Sequence, residues 1–86
     1  MEKNLIGCFA RSLAGHDKDT VYVIIDIDNE YVYLSDGKYK TIDKPKKKRL
    51  KHIQIIKKKD SILESKHKNI INEDLKRAIK IYCSEK

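Results

Sequence analysis

The chain is poor in cysteine and contains no long apolar run. Its two cysteines, Cys8 and Cys83, lie far apart and match no metal-binding or redox spacing. Two thiols do not make a disulfide framework in a chain with this much apolar periodicity. No run is long enough to cross a bilayer, and residues 1–5 lack the apolar stretch of a signal peptide. We therefore expect reduced thiols in a cytoplasmic protein that has no membrane partner.

The length of the chain excludes a second domain. Its 86 residues suffice for one compact domain. A chain this short buries only about 60% of its unfolded surface, so we expect no deep substrate cavity. Apolar residues make up 40% of the chain and charged residues 38%. Because this polar composition still contains clear apolar runs, it indicates a folded chain rather than a disordered one.

The histidines do not have the spacing of a zinc site. His16, His52 and His67 fall at no zinc spacing with one another or with the cysteines. We therefore expect no metal ion and no cofactor. Cys8 alternates with apolar neighbours, which is typical of a thiol in the core.

The candidate catalytic pairs are weak. A nucleophilic pair of Cys8 and His52 is compatible with the sequence, but nothing in the sequence orients it. Asp26, Asp28 and Glu30 could be paired carboxylates, but they lie at a predicted turn, where acids commonly hydrogen-bond the local backbone. We therefore expect a protein that is not an enzyme and has no small-molecule substrate.

Acidic residues are absent from residues 44–59, and this segment carries nine lysines and arginines. Residues 1–43 have a net charge of −3 and residues 60–86 a net charge of +1, so the +9 segment accounts for the overall charge of +7. A clustered positive field attracts polyanions. A solubilising tail or a localisation signal is the alternative. We favour a surface attached to a fold, because apolar periodic segments flank the stretch.

Five short segments have the β-branched and aromatic composition of strands. In the strongest of them, Val21, Val23, Ile25 and Ile27 share one face, and Tyr22, Ile24 and Asp26 share the other. A loop over 14–19, in which Asp17 can hydrogen-bond its own turn, and a turn over 28–30 separate the first three strands. Asp36-Gly37 predicts a type I′ hairpin, and Pro45 excludes a continuous central strand at that point. The predicted strands are 5–12, 20–27, 31–35, 39–42 and 50–55.

A different periodicity follows residue 59. Asn72-Glu73-Asp74 predicts a helix N-cap with acids in the first turn. Apolar residues then recur at helical spacing and predict a helix over about 73–83 that packs by this stripe. Residues 60–70 are ambiguous, and a short helical turn can start at Ile62 and Leu63. The stripe consists of Ile71, Leu75, Ala78, Ile79 and Tyr82.

Several short strands with tight turns predict a mainly β protein, a small SH3-like barrel followed by a C-terminal α-helix. We expect the barrel over residues 1–56, including basic residues 44–56. A linker and the helix then occupy residues 57–86, with the helix packed on or beside the barrel.

The first loop resembles a KOW motif, which pairs a strand, a loop with a Gly-x-Asp-Lys-Gly core and a second strand. The matching residues are Gly7, 14–18 and 22–25, and the downstream segments 35–37, 44–48 and 51–52 resemble the rest of a bacterial KOW-domain RNA-binding family. That family is similar to a group of archaeal and eukaryotic large-subunit ribosomal proteins. The resemblance covers residues 5–55 well and 56–86 weakly. The sequence departs from the pattern at Asp19, where the family has glycine, and this puts a negative charge beside Lys18.

Members of this group bind RNA, chiefly ribosomal RNA, so the resemblance implies ribosomal RNA of the large subunit as the partner. We expect phosphate contacts that recognise RNA shape more than base sequence, and a monomer when the protein is free. Lys57, Lys58 and Lys59 could extend the surface, and Tyr39 beside the hairpin could stack on a base. The candidate RNA-binding residues are Arg11, His16, Lys18, Lys38, Lys44, Lys46, Lys47, Lys48, Arg49, Lys51 and His52.

Two other function classes remain open. Small barrels also bind proteins, and the helical stripe could dock a partner helix, which would make the chain an SH3-like protein-interaction module. An electrostatic adaptor on anionic membranes or DNA is the third hypothesis. A basic amphipathic helix would favour membranes, but the basic run contains Pro45 and has no helical apolar stripe. The concentrated charge favours RNA over the protein partner.

Overall fold

The computed structural model describes residues 5–66 and 69–84, without the side chain of Ile62. The expectation of a mainly β protein with a C-terminal helix is confirmed. The predictions for residues 1–4 and for His67 lie outside the described residues. The strands are β1 (Cys8–Ser12), β2 (Val21–Asp28), β3 (Tyr31–Ser35), β4 (Lys46–Arg49) and β5 (Ile53–Lys59). The helices are a 3-10 helix (Leu50–His52), α1 (Ser61–Lys66) and α2 (Asn72–Ser84).

All five strands belong to one antiparallel sheet, whose order is β4-β3-β2-β1-β5. The first four strands pair with their neighbours in sequence. β5 instead returns to β1, because the 3-10 helix carries the chain from the β4 edge to the other edge. Since β4 and β5 are both edge strands, the sheet is open in the described part of the chain.

Apolar clusters cover both faces of the sheet, so its strands alternate little between apolar and polar residues. Helices α1 and α2 pack on one face, where the rings of Phe9 and Tyr82 stack with centroids 4.6 Å apart. The other cluster contains Cys8, and the burial of this residue confirms that its thiol is in the core. The helix-side cluster is Phe9, Val23, Leu63, Leu75 and Ala78. The other is Cys8, Ala10, Tyr22, Ile24, Val32, Leu34 and Ile53.

A β-bulge in β2 changes the predicted assignment of one face. Ile24 pairs with Leu34, but Asp26 pairs with the very next residue, Tyr33, so Ile25 is the extra residue. An extra residue inverts the alternation beyond it. Ile27 therefore packs with the Ile24 cluster and not with Ile25, and the prediction that placed Ile27 with Ile25 was wrong.

The predicted returning strand over 39–42 was also wrong, because residues 36–45 form one long connection. Asp36 Oδ1 accepts the backbone N–H groups of Lys38, Tyr39 and Lys40 at 2.9, 3.0 and 2.8 Å. These N–H groups are thereby satisfied within the loop and do not form a ladder. The fourth strand begins only after Pro45, at a sheet edge where a missing N–H is tolerated. The predicted strand over 50–55 likewise begins later, at Ile53.

The C-terminal helix, predicted over about 73–83, extends one residue further at each end, and of the predicted apolar stripe only Ile71 lies outside it. Leu75 and Ala78 are buried, whereas Ile71, which precedes the helix, is 54% exposed. The backbone N–H of Ile71 donates to Asp74 Oδ2 at 3.0 Å, which is one of the two hydrogen bonds of a capping box. The short helical turn predicted near Leu63 is confirmed as α1. Neither α-helix in the described ranges is long and apolar enough to span a membrane.

Candidate nucleic-acid interface

Strand β4 consists entirely of cations, and its pleat divides them between two sides. Lys46 and Lys48 are partly buried, whereas Lys47 and Arg49 are exposed. This alternation follows from the two-residue period of a strand. The most basic part of the predicted segment therefore presents two different surfaces, and the two have different partners.

The partly buried side is held by a carboxylate. Lys48 Nζ donates to Asp17 Oδ1 at 2.8 Å, to Ser12 Oγ at 2.6 Å and to the Ala14 carbonyl at 2.8 Å. The Lys48 side chain is only 10% exposed. A lysine ammonium has three N–H donors, and here all three are directed at protein oxygens. Lys48 therefore has no donor left for a phosphate in this arrangement.

Asp17 is the centre of this cluster. Tyr22 donates its hydroxyl to Asp17 Oδ2 at 2.9 Å, and Lys46 Nζ lies 3.5 Å from the same oxygen. Burial alone raises the pKa of the Asp17 carboxyl. The hydrogen bonds from Lys48, Ser12 and Tyr22 and the charge of Lys46 outweigh burial and hold this pKa well below its usual value of 3.8. Asp17 therefore stays ionised.

The pKa of the Tyr22 hydroxyl is also shifted. Burial raises the pKa of the Tyr22 hydroxyl, and the hydrogen bond to Asp17 and its negative charge raise it further. Tyr22 is thus a neutral donor throughout the physiological range. The cluster joins the first loop to the edge strand β4 and is an internal structural contact.

The exposed side of β4 has a different partner, the aromatic ring of Tyr31. Lys47 Nζ lies 4.5 Å and Arg49 Cζ 5.5 Å from the centroid of that ring. Arg49 is the cross-strand partner of Tyr31, and Lys47 is its diagonal neighbour. Within residues 5–66 and 69–84, neither cation has a carboxylate within 4 Å. Tyr31 thus orients both cations without neutralising them.

Two more exposed basic residues follow on the 3-10 helix, Lys51 and His52. Hydrogen bonds fix this turn on both sides. The Leu50 N–H donates to the Glu30 carbonyl at 2.8 Å, and the Leu13 N–H donates to the His52 carbonyl at 2.9 Å. We call the resulting exposed basic area the β4 surface, and it consists of Lys47, Arg49, Lys51 and His52.

The first loop brings further candidates toward β4. His16 and Lys18 are exposed in the loop that Asp17 attaches to Lys48. Arg11 lies in β1 and is partly buried, and its buried Nε has no hydrogen-bond partner among the described residues. His16 and Lys18 are therefore accessible near the edge of the sheet, whereas Arg11 is less accessible.

Asp19, the position at which the sequence departs from the KOW pattern, has a backbone φ of 73°. This left-handed conformation favours glycine and is tolerated by aspartate and asparagine. Its backbone N–H donates to the Ser12 carbonyl at 2.8 Å and closes the loop. The aspartate thus occupies a backbone conformation that a glycine would adopt more easily.

The remaining candidates lie elsewhere. Lys38 and Lys44 are exposed in the 36–45 connection, which leads into β4. The basic residues 57–59 lie on β5, at the opposite edge of the strand order. The predicted basic segment over 44–59 is therefore not one continuous strip, because the 3-10 helix divides it between the two sheet edges.

A groove of about 580 Å³ opens beside the β2 bulge, and its lining includes Tyr33, the cross-strand partner of Lys47. Ile25, Ile42 and Ile70 supply apolar walls, and Asp26 and Asp28 supply acidic groups. In the described ranges, no three histidine, cysteine, aspartate or glutamate side chains lie close enough together to hold a metal ion. The groove differs from the β4 surface in both charge and chemistry.

Sequence reasoning missed the role of Asp17, which was expected to bond only its own turn. Its main partner, Lys48, lies 31 residues further along the chain. An acid in the short polar loop over 14–19 gives no signal of such a distant contact. The chain matches no protein-family model and no curated protein.

Proposed function

We propose that the protein is a non-catalytic RNA-binding protein that holds structured RNA through phosphate contacts made by the β4 surface. The observation that carries this proposal is the exposure of Lys47 and Arg49 on an ordered edge strand with no carboxylate within 4 Å among the described residues. The proposed partner is ribosomal RNA of the large subunit in the cytoplasm. The protein binds it as a ribosome-associated protein or an assembly factor.

The geometry suits a phosphate backbone. Lys47 and Arg49 are two residues apart on a strand, so their Cα atoms are about 7 Å apart and their side chains point the same way. The ring of Tyr31 restricts both side chains, which lowers the entropy lost when they bind an anion. Lysines act as point charges, and the one arginine here leaves little capacity for bidentate reading of base edges. RNA shape and charge are therefore recognised more than sequence.

The fold proposed for this function is an SH3-like barrel of the KOW kind. Its support is the return of β5 to β1 through a 3-10 turn and the contacts by which the edge strand β4 reaches the end of β1. Lys48 on β4 donates to Ser12 Oγ and to the Ala14 carbonyl, while the bond from the Leu13 N–H to the His52 carbonyl extends the β1–β5 pairing to the 3-10 turn. The left-handed conformation of Asp19 is also what a loop with glycine at that position would have.

The test is sedimentation of a clarified lysate through a sucrose gradient, with and without ribonuclease. We expect the wild-type protein to travel with the large ribosomal subunit and to move to the top of the gradient after ribonuclease. The double variant Lys47→Ala, Arg49→Ala should remain at the top. The matched control Lys76→Ala, Lys80→Ala removes the same charge from exposed positions on α2 and should sediment like wild type. A wild-type protein that stays at the top in every condition would contradict ribosome association.

A further inference from the structure

Tyr39 is the most exposed large apolar side chain in the described part of the chain, at 77% of its full accessibility. The other extreme is Tyr22, which is 3% exposed and bonded through its hydroxyl. Burial therefore does not explain an aromatic residue at position 39. A tyrosine that the fold does not use is a candidate for contact with a partner.

The loop that carries Tyr39 is well fixed. Asp36 Oδ1 accepts the N–H of Tyr39 itself at 3.0 Å, together with two neighbouring N–H groups. The Lys40 carbonyl accepts the Ser35 hydroxyl at 2.6 Å and the Asp36 N–H at 3.0 Å. The ring is thus presented from an ordered backbone, which reduces the entropy cost of binding.

The first residue of helix α2, Asn72, contacts the same loop. The backbone N–H of Ile42 donates to Asn72 Oδ1 at 2.8 Å. Gly37 has a φ of 76° and packs so closely on Asn72 that a side chain at position 37 would collide with the Asn72 carbonyl. The loop is therefore attached to the helix layer on one side and leads directly into β4 on the other.

The surroundings of the ring favour an anionic partner. Lys38 Nζ lies 5.0 Å from the ring centroid, and Lys40 and Lys44 are exposed in the same loop. The connection contains two acids, Asp36 and Asp43. One carboxylate oxygen of Asp36 accepts the three backbone N–H groups. A ring with cations around it suits a base that carries its own phosphates, because every nucleobase has a face that can stack.

We propose that Tyr39 stacks on an unpaired base of the bound RNA while the neighbouring lysines contact the phosphates of the same nucleotides. This inference rests on the proposed function, because it takes the base from the RNA held at the β4 surface. It adds that the bound RNA contains an unpaired nucleotide, such as one in a loop or bulge. The strand β4 begins directly after the Tyr39 loop, so one strand of RNA can contact both.

The test uses the full chain and two probes, an RNA hairpin with an unpaired adenine-rich loop and inorganic polyphosphate, which has charge but no bases. Tyr39→Ala should weaken binding to the hairpin by about 5- to 150-fold, the range seen for loss of one base stack. Binding to polyphosphate should not change. Since the side chain is 77% exposed, the unfolding midpoint of Tyr39→Ala should match wild type.

A second variant reports stacking directly. The chain has no tryptophan, so Tyr39→Trp introduces a single tryptophan at this position. We expect the hairpin to quench its fluorescence, polyphosphate to leave it unchanged, and hairpin affinity to be kept. If wild type binds the hairpin but Tyr39→Ala binds it equally well and the tryptophan is not quenched, the stacking inference is overturned and the proposed function stands. If wild type binds neither this hairpin nor ribosomal RNA, both are overturned.

Discussion

Lys48 Nζ and Asp17 Oδ1 lie 2.8 Å apart and join the loop after β1 to the edge strand β4. Both side chains are nearly buried, with exposures of 10% and 13%. The pair divides the cations of β4 by role, because it holds Lys48 inside the molecule while Lys47 and Arg49 remain exposed. The most basic segment of the sequence thus contains both a structural lysine and exposed cations.

Removal of the carboxylate should destabilise the fold. In Asp17→Ala the ammonium of Lys48 stays in a mostly buried position without its counter-charge, and Tyr22 loses the acceptor of its hydroxyl. We expect a loss of about 2–4 kcal/mol in the free energy of unfolding, measured by denaturant titration. Lys46→Ala is the control, because that ion pair is longer, at 3.5 Å, and its lysine is 32% exposed. It should cost less than about 1 kcal/mol, and equal losses in the two variants would contradict this account.

The cluster around Asp17 should also make the stability of the fold depend on pH. The pKa of Asp17 is lower in the folded chain than its usual value of 3.8, so protonation favours the unfolded state. The stabilisation is complete well above pH 3.8 and is lost as the pH falls below about 5 toward the folded pKa. Thermal unfolding measured from pH 7 to pH 2 should therefore show a steeper decline for wild type than for Asp17→Asn. Parallel curves for the two proteins would rule out this role of Asp17.

A glycine at position 19 should make the fold more stable than the native aspartate does. Its φ of 73° costs an L residue about 1–2 kcal/mol, whereas the extra entropy of a glycine in the unfolded chain costs about 0.5–1 kcal/mol. Asp19→Gly should therefore raise the free energy of unfolding by up to about 1 kcal/mol. Asp19→Ala should lower it, because alanine cannot use a polar side chain to tolerate this conformation. Destabilisation by glycine would show that the aspartate side chain makes a contribution that its backbone conformation does not explain.

Two glycines with similar φ values should differ sharply in their tolerance of alanine. Gly37 (φ 76°) packs against the Asn72 backbone, whereas the space around Gly15 (φ 88°) admits a Cβ at ordinary contact distances. Gly15→Ala should cost about 1–2 kcal/mol from the backbone conformation alone. Gly37→Ala adds overpacking of about 1–3 kcal/mol and should also shift the Tyr39 loop. Denaturant unfolding of the two variants would test this, and similar losses would contradict the close contact between the loop and α2.

Local patterns predicted much of the fold. β-branched runs identified β2 and β3, and the spacing of Leu75, Ala78 and Tyr82 identified α2 within one or two residues at each end. The errors occur where one side chain or one extra residue overrides such a pattern. Asp36 satisfies three N–H groups and turns an expected strand into a loop, and the bulge at Ile25 inverts a face.

The candidate site was less predictable because charge in a sequence does not indicate its partners. Lys47 and Lys48 are adjacent and chemically identical. The pleat turns one toward Tyr31 and the other toward Asp17, and the second contact joins residues 31 positions apart in the sequence. In the sequence, only the alternation of a strand could have separated these two lysines. The predicted fourth strand, over 39–42, ended before them. The composition therefore predicted a basic surface but not which of its lysines are accessible.

The most direct test of the central claim is an equilibrium titration of the purified protein with a large-subunit ribosomal RNA fragment over a series of salt concentrations. Each phosphate contact contributes about 0.7–0.9 to the slope of log K against log salt. Lys47→Ala, Arg49→Ala should therefore weaken binding and reduce this slope by about 1.4–1.8. Lys76→Ala, Lys80→Ala should bind with nearly the wild-type slope. If both double variants lose affinity and slope equally, net charge alone attracts the RNA, and the claim that the β4 surface binds it is contradicted.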